Sequence, residues 1–212
     1  MDTPITSLNF QTAQFLTSAP SILECPPEEG VEVAFAGRSN AGKSSAINSL
    51  TRNNKLARTS KTPGRTQLIN YFSLHNNEKI RLVDLPGYGF AKVPLKMKQT
   101  WERNMGDYLQ KRESLQGLVV VMDVRHPMQE SDHQLIDWAV FAELPVHLLL
   151  TKCDKLKRGA ANNTLLTIEK QLRNRAIDDL VSAQLYSSLK HAGIEKLEQR
   201  LNSWMCVENI HE

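Results

Sequence analysis

Runs of β-branched and other apolar residues alternate along the chain with stretches in which apolar positions recur every three or four residues. Val31 to Ala36 is an apolar run that reads as a buried strand, and Ala46 to Leu50 continues as helix. Leu68 to Leu74 and Lys79 to Leu85, joined by the polar turn His75-Asn76-Asn77-Glu78, predict two antiparallel strands. Pro94 suits the first turn of a helix reaching to about Arg112. Gly117 to Asp123 and Pro145 to Thr151 are continuous apolar strands flanking an amphipathic helix over Ser131 to Phe141. A helix over Ala160 to Ala176, a short strand over Gln184 to Ser187 and a last helix over Ile194 to Trp204 complete the pattern. Strands alternating with helices imply an α/β fold. The expected sheet is mostly parallel and doubly wound, with helices on both faces and one antiparallel strand pair.

The segments outside this alternation set the domain limits. Residues 1–28 form an extension that packs on the domain through Leu8, Phe10, Phe15 and Leu16 and stops at the boundary Cys25-Pro26-Pro27-Glu28-Glu29-Gly30. Residues 29–205 form the domain and 206–212 a tail. A polar, basic connection from Asn53 to Gln67 is long for a compact domain, which marks it as functional or mobile.

With 212 residues, 41% of them hydrophobic, the chain can bury one core. A net charge of +3 is too weak to imply nucleic acid by itself. Cys25, Cys153 and Cys206 are far apart and form no Cys-x-x-Cys pair, which argues for a reducing compartment and against a disulfide frame or zinc site. The six histidines lack ligand spacing. Without a leader-like N-terminus or a membrane-length apolar run, a soluble cytoplasmic protein is expected, where Asn162-Asn163-Thr164 is an accidental glycosylation match.

Candidate chemistry enters at three strand ends. After the first strand, Gly37-Arg38-Ser39-Asn40-Ala41-Gly42-Lys43-Ser44 has the spacing of a phosphate-binding loop, followed by helix. Backbone N–H groups there converge on an anion and the helix end adds positive potential; Lys43 would reach the β- and γ-phosphates and the Ser44 hydroxyl would ligate Mg²⁺. Asp84-Leu85-Pro86-Gly87 ends another strand, so Asp84 can reach Mg²⁺ through a water while the Gly87 N–H binds a γ-phosphate. Thr151-Lys152-Cys153-Asp154 ends a third. The Asp154 carboxylate can accept the paired N–H donors of guanine, which adenine lacks, with the Lys152 stem along the base.

These motifs, with Thr66 and Ser187-Ser188, resemble the five guanine-nucleotide motifs of a small translational GTPase. The wording Gly37 to Ser45, Lys61-Thr62-Pro63-Gly64-Arg65-Thr66-Gln67 and Asp84 to Gly89 resembles the EngB family (YihA or YsxC), within the TrmE-Era-EngA-EngB-septin-like GTPases, from about Glu29 to Trp204. The resemblance implies a P-loop GTPase domain in a monomeric, cytoplasmic bacterial protein that binds GTP and GDP with Mg²⁺. Its implied partner is a large ribosomal subunit precursor, through ribosomal RNA or ribosomal proteins, with a further role in cell division and septation. It also implies nucleotide contacts from Gly37 through Ser45, from Gly64, Arg65, Thr66, Gln67 and Leu68, from Asp84, Leu85, Pro86 and Gly87, and from Thr151 through Asp154. Ser187, Ser188 and Leu189 would approach the guanine O6. Lys43, Thr66 and Gly87 carry the reaction, with Thr66 completing the Mg²⁺ shell.

Tyr88 follows Gly87 where many GTPases place a water-orienting Gln, so slow intrinsic hydrolysis is expected. Asn40 either helps hold a K⁺ ion beside the phosphates or serves turn geometry. Residues 53–67 and 86–93 are the expected switches, and Arg52, Lys55, Arg58, Lys61, Arg65, Lys92, Lys96, Lys98 and Arg103 form an adjacent basic surface that is either an RNA contact or a solvated face. A metabolic phosphotransferase or ATPase, and a nucleotide-bearing septal scaffold, are the rival readings.

Overall fold

Seven strands form one sheet, ordered β1-β3-β4-β2-β5-β6-β7 in the computed structural model, which describes residues 7–57, 68–89 and 95–205, without the side chains of 95–98 and 100. The strands are β1 (Gln14–Ala19), β2 (Val31–Gly37), β3 (Ile69–Leu74), β4 (Asn77–Asp84), β5 (Leu115–Asp123), β6 (Val146–Thr151) and β7 (Val181–Leu185). The helices are α1 (Lys43–Thr51), α2 (Leu95–Lys111), α3 (Glu130–Phe141), α4 (Arg158–Asn174) and α5 (Ile194–Met205). The expected α/β architecture is present. β4, β2, β5, β6 and β7 run parallel, and β3 returns antiparallel to β4 through a tight turn in which His75 and Asn76 both take positive φ.

Continuous apolar runs arise because the central strands are covered on both faces. From β2, Val33 and Phe35 join Val119 and Val121 of β5 against Ile47 and Leu50 of α1 and Leu197 and Leu201 of α5. The intervening Ala34, Ala36, Leu118, Val120 and Met122 face the other layer, with Tyr108 of α2, Leu135 and Ile136 of α3 and Ile168 and Leu172 of α4.

Two features depart from the sequence reading. The N-terminal segment contains a strand: β1 pairs antiparallel with β3 and extends the sheet, while Leu8 and Phe10 are buried and Phe15 stays exposed. A mixed polar strand at a sheet edge needs no full apolar run, so periodicity misses it. β7 begins at Val181, three residues before the expected Gln184, and ends at Leu185, two before the expected Ser187, because the polar Ser182 and Gln184 interrupt its apolar run.

At the end of β2 remote from the phosphate loop, the fully buried Glu32 carboxylate joins Arg81 Nε at 2.7 Å and Arg112 Nη2 at 2.6 Å, with Arg112 Nε at 2.9 Å. Arg112 also meets Glu28 and lies over the Tyr71 ring. The guanidinium of Arg112 loses hydration, which alone would lower its pKa, but the bonds to Glu32 outweigh this and hold it above its ordinary value. The cluster ties β2, β4 and the end of α2 together. Removing the carboxylate strands two buried cations, so Glu32→Ala should cost about 3–5 kcal/mol in urea unfolding.

His147 in β6 is buried, with Nδ1 2.8 Å from Ser182 Oγ and Nε2 2.9 Å from Gln184 Oε1. Burial pushes its pKa down to about 4; the Gln184 bond opposes this, and Arg200 and Lys196 add to it. The ring is therefore neutral when folded, whereas an unfolded histidine binds a proton near pH 6.5. This contribution is complete above that pH and is lost as pH falls from about 6.5 towards 4, amounting to about 3 kcal/mol. Urea titrations over this window should show a steeper loss for the native chain than for His147→Phe.

Candidate functional site

The loop between β2 and α1 begins at the buried end of a central strand and enters its helix through Gly42, at φ 99°. A side chain at Gly42 would be strained there and would also lie 3.3 Å from Thr151 Oγ1. Asn40 takes φ 64°, a conformation Asn tolerates better than most residues. Lys43 and Ser44 open α1, and the Lys43 ammonium forms an ion pair with Asp84 at the end of β4. The expected cation and the expected carboxylate thus meet at one place, although 41 residues separate them.

The third strand end joins the same region. Thr151 Oγ1 lies within hydrogen-bond distance of the Ala41 carbonyl in the loop and 3.0 Å from the Met122 carbonyl of β5. Lys152, at φ 59°, turns its ammonium back to the Asn40 carbonyl at 2.6 Å and the Asp123 carboxylate at 3.0 Å. Asp154 accepts a hydrogen bond from the buried Ser187 hydroxyl, and the Lys190 N–H donates to that same hydroxyl at 3.1 Å. Cys153 donates its N–H to the Tyr186 carbonyl, and its thiol is pushed up by burial with the charge of Asp154 beside it. Ser188 is half-buried in the same turn, whereas Leu189 is exposed.

Asp84, Leu85, Pro86 and Gly87 are all described. The Leu85 N–H donates to Phe35 O at 2.9 Å, and Gly87 packs beside Gly37 and Ser39. Tyr88 is buried, and its hydroxyl donates to Asp132 at 2.9 Å, so it is not directed at a phosphate-bound water. Gly64, Arg65, Thr66 and Gln67 lie outside the described residues, as do Arg58 and Lys61; Leu68 is half-buried just before β3. Arg52, Lys55 and Arg103 are exposed.

Three residues escaped the motif reading. Asp123 accepts from Arg125 Nε at 2.9 Å, Arg125 Nη2 at 2.6 Å and the Arg125 N–H at 3.0 Å, as well as facing Lys152. The Arg125 bonds, aided by Lys152 and opposed by partial burial, hold its pKa well below the usual carboxylate range. Its position at a strand's C-terminal end, like that of Asp84, was the available signal. Asn48 receives the Ala57 N–H at 2.7 Å and donates to the Asn54 and Ala57 carbonyls, pinning the first part of the 53–67 connection. Asp132, inside an amphipathic helix pattern, gave no signal.

A family model described as 50S ribosome-binding GTPase matches residues 32–152. A probable GTP-binding protein EngB from Idiomarina loihiensis is 56% identical over 201 residues, covering 95% of this chain and 96% of that protein. Another, from Psychromonas ingrahamii, is 59% identical over 201 residues, covering 93% and 90%. The crystal structure of a probable GTP-binding protein engB superposes with a TM-score of 0.65 at 22% identity, over 82% of this chain and 98% of that one. Era in complex with MgGDPNP and nucleotides 1506-1542 of 16S ribosomal RNA gives 0.61 at 18% identity, over 87% and 59%. At such identities the two structures speak for the fold, and the sequence matches speak for the lineage. The chain belongs to the EngB family of GTP-binding proteins and carries its GTPase domain.

Proposed function

We propose that this GTPase is a molecular switch that attaches to a maturing large ribosomal subunit in one nucleotide state and leaves in the other, with cell division and septation depending on that cycle. The observation that carries the nucleotide part is the junction of Thr151 and Lys152 with the Ala41 and Asn40 carbonyls. It sets the segment suited to a guanine base directly against the loop suited to phosphates. Lys43 would neutralise the β- and γ-phosphates, the Gly87 N–H would contact the γ-phosphate, and Thr66 would close over it.

The residues present fit a magnesium ion held mainly by the nucleotide. No cluster of three His, Cys, Asp or Glu able to hold a metal occurs among the described residues, whereas Ser44 and Asp84 offer the hydroxyl and carboxylate oxygens that a phosphate-bound Mg²⁺ takes. Bound there, the ion would supply charge neutralisation to the phosphates. The K⁺ role of Asn40 and slow turnover in its absence belong to the same proposal, since the buried, Asp132-bound Tyr88 leaves that position without a water-orienting side chain.

The ribosomal part rests on the family description, on Era as a relative in fold that engages ribosomal RNA, and on the exposed Arg52, Lys55 and Arg103. No helix among the described residues is long and apolar enough to cross a membrane. A metabolic phosphotransferase would leave the Asp154–Ser187 arrangement without a role.

Sedimentation of ribosomal particles with the chain under GDP or a non-hydrolysable GTP analogue is expected to give nucleotide-dependent co-sedimentation with the large-subunit precursor; equal binding in both states would favour a scaffold. Competition binding should favour GTP over ATP by at least about a hundredfold, because adenine lacks the paired N–H donors that the Asp154 carboxylate can accept. Asp123→Asn, which weakens the anchor of Lys152, should lower GTP affinity by about tenfold.

A further inference from the structure

Asp132 is fully buried although it carries charge, and nothing in the nucleotide chemistry above uses it. A buried carboxylate persists only where its partners compensate for lost hydration. Arg38 of the phosphate loop donates through Nε to both oxygens, at 3.1 and 3.2 Å, while its Nη2 donates to the His126 carbonyl. The Tyr88 hydroxyl donates to Oδ1 at 2.9 Å and the Gln129 N–H to Oδ2 at 2.9 Å. A helix-capping role accounts for the Gln129 bond alone; it does not require the arginine of one loop and the phenol of another to converge on the same group.

The backbone repeats this connection. The Tyr88 N–H donates to Gly37 O at 3.3 Å, and the Ser39 N–H donates to Tyr88 O at 3.1 Å, so Tyr88 is bound on both sides by the phosphate loop. Its ring lies 5.4 Å from that of Trp101, and burial together with the Asp132 charge keeps the phenol protonated as a donor. Gly87 is thereby held between two fixed points, the Leu85 bond to Phe35 and the Tyr88 anchor. Gly89, at φ 71° and close against Arg38, follows the anchor in a backbone conformation that favours glycine.

We propose that Asp132 is a positioning residue for telling GTP from GDP: through Arg38 and the Tyr88 hydroxyl it holds the Gly87 N–H where the γ-phosphate is met. This rests on the guanine-nucleotide reading above. GDP has no γ-phosphate, so its binding depends on the phosphate loop and the base site and is indifferent to where Gly87 stands. Loosening Tyr88 therefore penalises one nucleotide only. A general packing role would weaken both.

The test uses the full chain and fluorescent GDP and GMPPNP. Tyr88→Phe keeps the ring against Trp101 and removes the hydroxyl; Asp132→Asn keeps the shape and removes the charge. Tyr88→Phe should weaken GMPPNP by about tenfold and change GDP by less than about twofold. Asp132→Asn, which also releases Arg38 of the phosphate loop, should weaken GMPPNP by more than GDP. Thermal melting identifies any loss of fold in Asp132→Asn, in which case Tyr88→Phe decides. Equal weakening of both nucleotides, unchanged affinity for both, or tighter GMPPNP binding in Tyr88→Phe overturns the proposal. Failure of the unsubstituted chain to bind either guanine nucleotide overturns it together with the reading on which it rests.

Discussion

The hydroxyl of Thr151, shared between the carbonyls of Ala41 and Met122, is the contact that joins the ends of β2, β5 and β6 at one site. Parallel strands place their C-terminal ends along one edge of the sheet, and the loops that follow must satisfy their own polar groups there. Thr151 and Lys152 satisfy carbonyls of the phosphate loop, so the loop's shape depends on β6 as much as on its own glycines. An individual hydrogen bond is worth about 1 kcal/mol net, but an unmade one at a buried carbonyl costs more, which makes the joined arrangement the stable one.

Buried charge holds the two ends of the sheet in different ways. Glu32, far from the loops, joins two arginines and clamps α2 to the central strands. Asp132, at the other edge, joins Arg38 to Tyr88 across the loops that follow β2 and β4. The first gives rigidity to the frame. The second couples the phosphate loop to the start of the segment expected to move.

Unbroken apolar runs and the 3.6-residue period made nearly every central element legible, because strands buried on both faces leave the first and helices covered on one side leave the second. The motifs at Gly37 to Ser44, Asp84 to Gly87 and Thr151 to Asp154 were legible because phosphate and guanine chemistry restricts residue type at fixed local spacing. β1 was not, since an edge strand with exposed Phe15 and polar neighbours has no strong pattern.

Residue order alone determined the α/β class, the strand-end placement of each motif and membership of a guanine-nucleotide lineage, all of which depend on local pattern. Only the tertiary structure decided that Asp123 anchors Lys152, that Asn48 pins residues 54 and 57, and that Asp132 gathers Arg38 and Tyr88. These contacts join residues up to 94 positions apart, and an aspartate in a helix or at a strand end looks the same in sequence whether water or an arginine compensates its charge. Which of the two does so is set by the packing of distant segments.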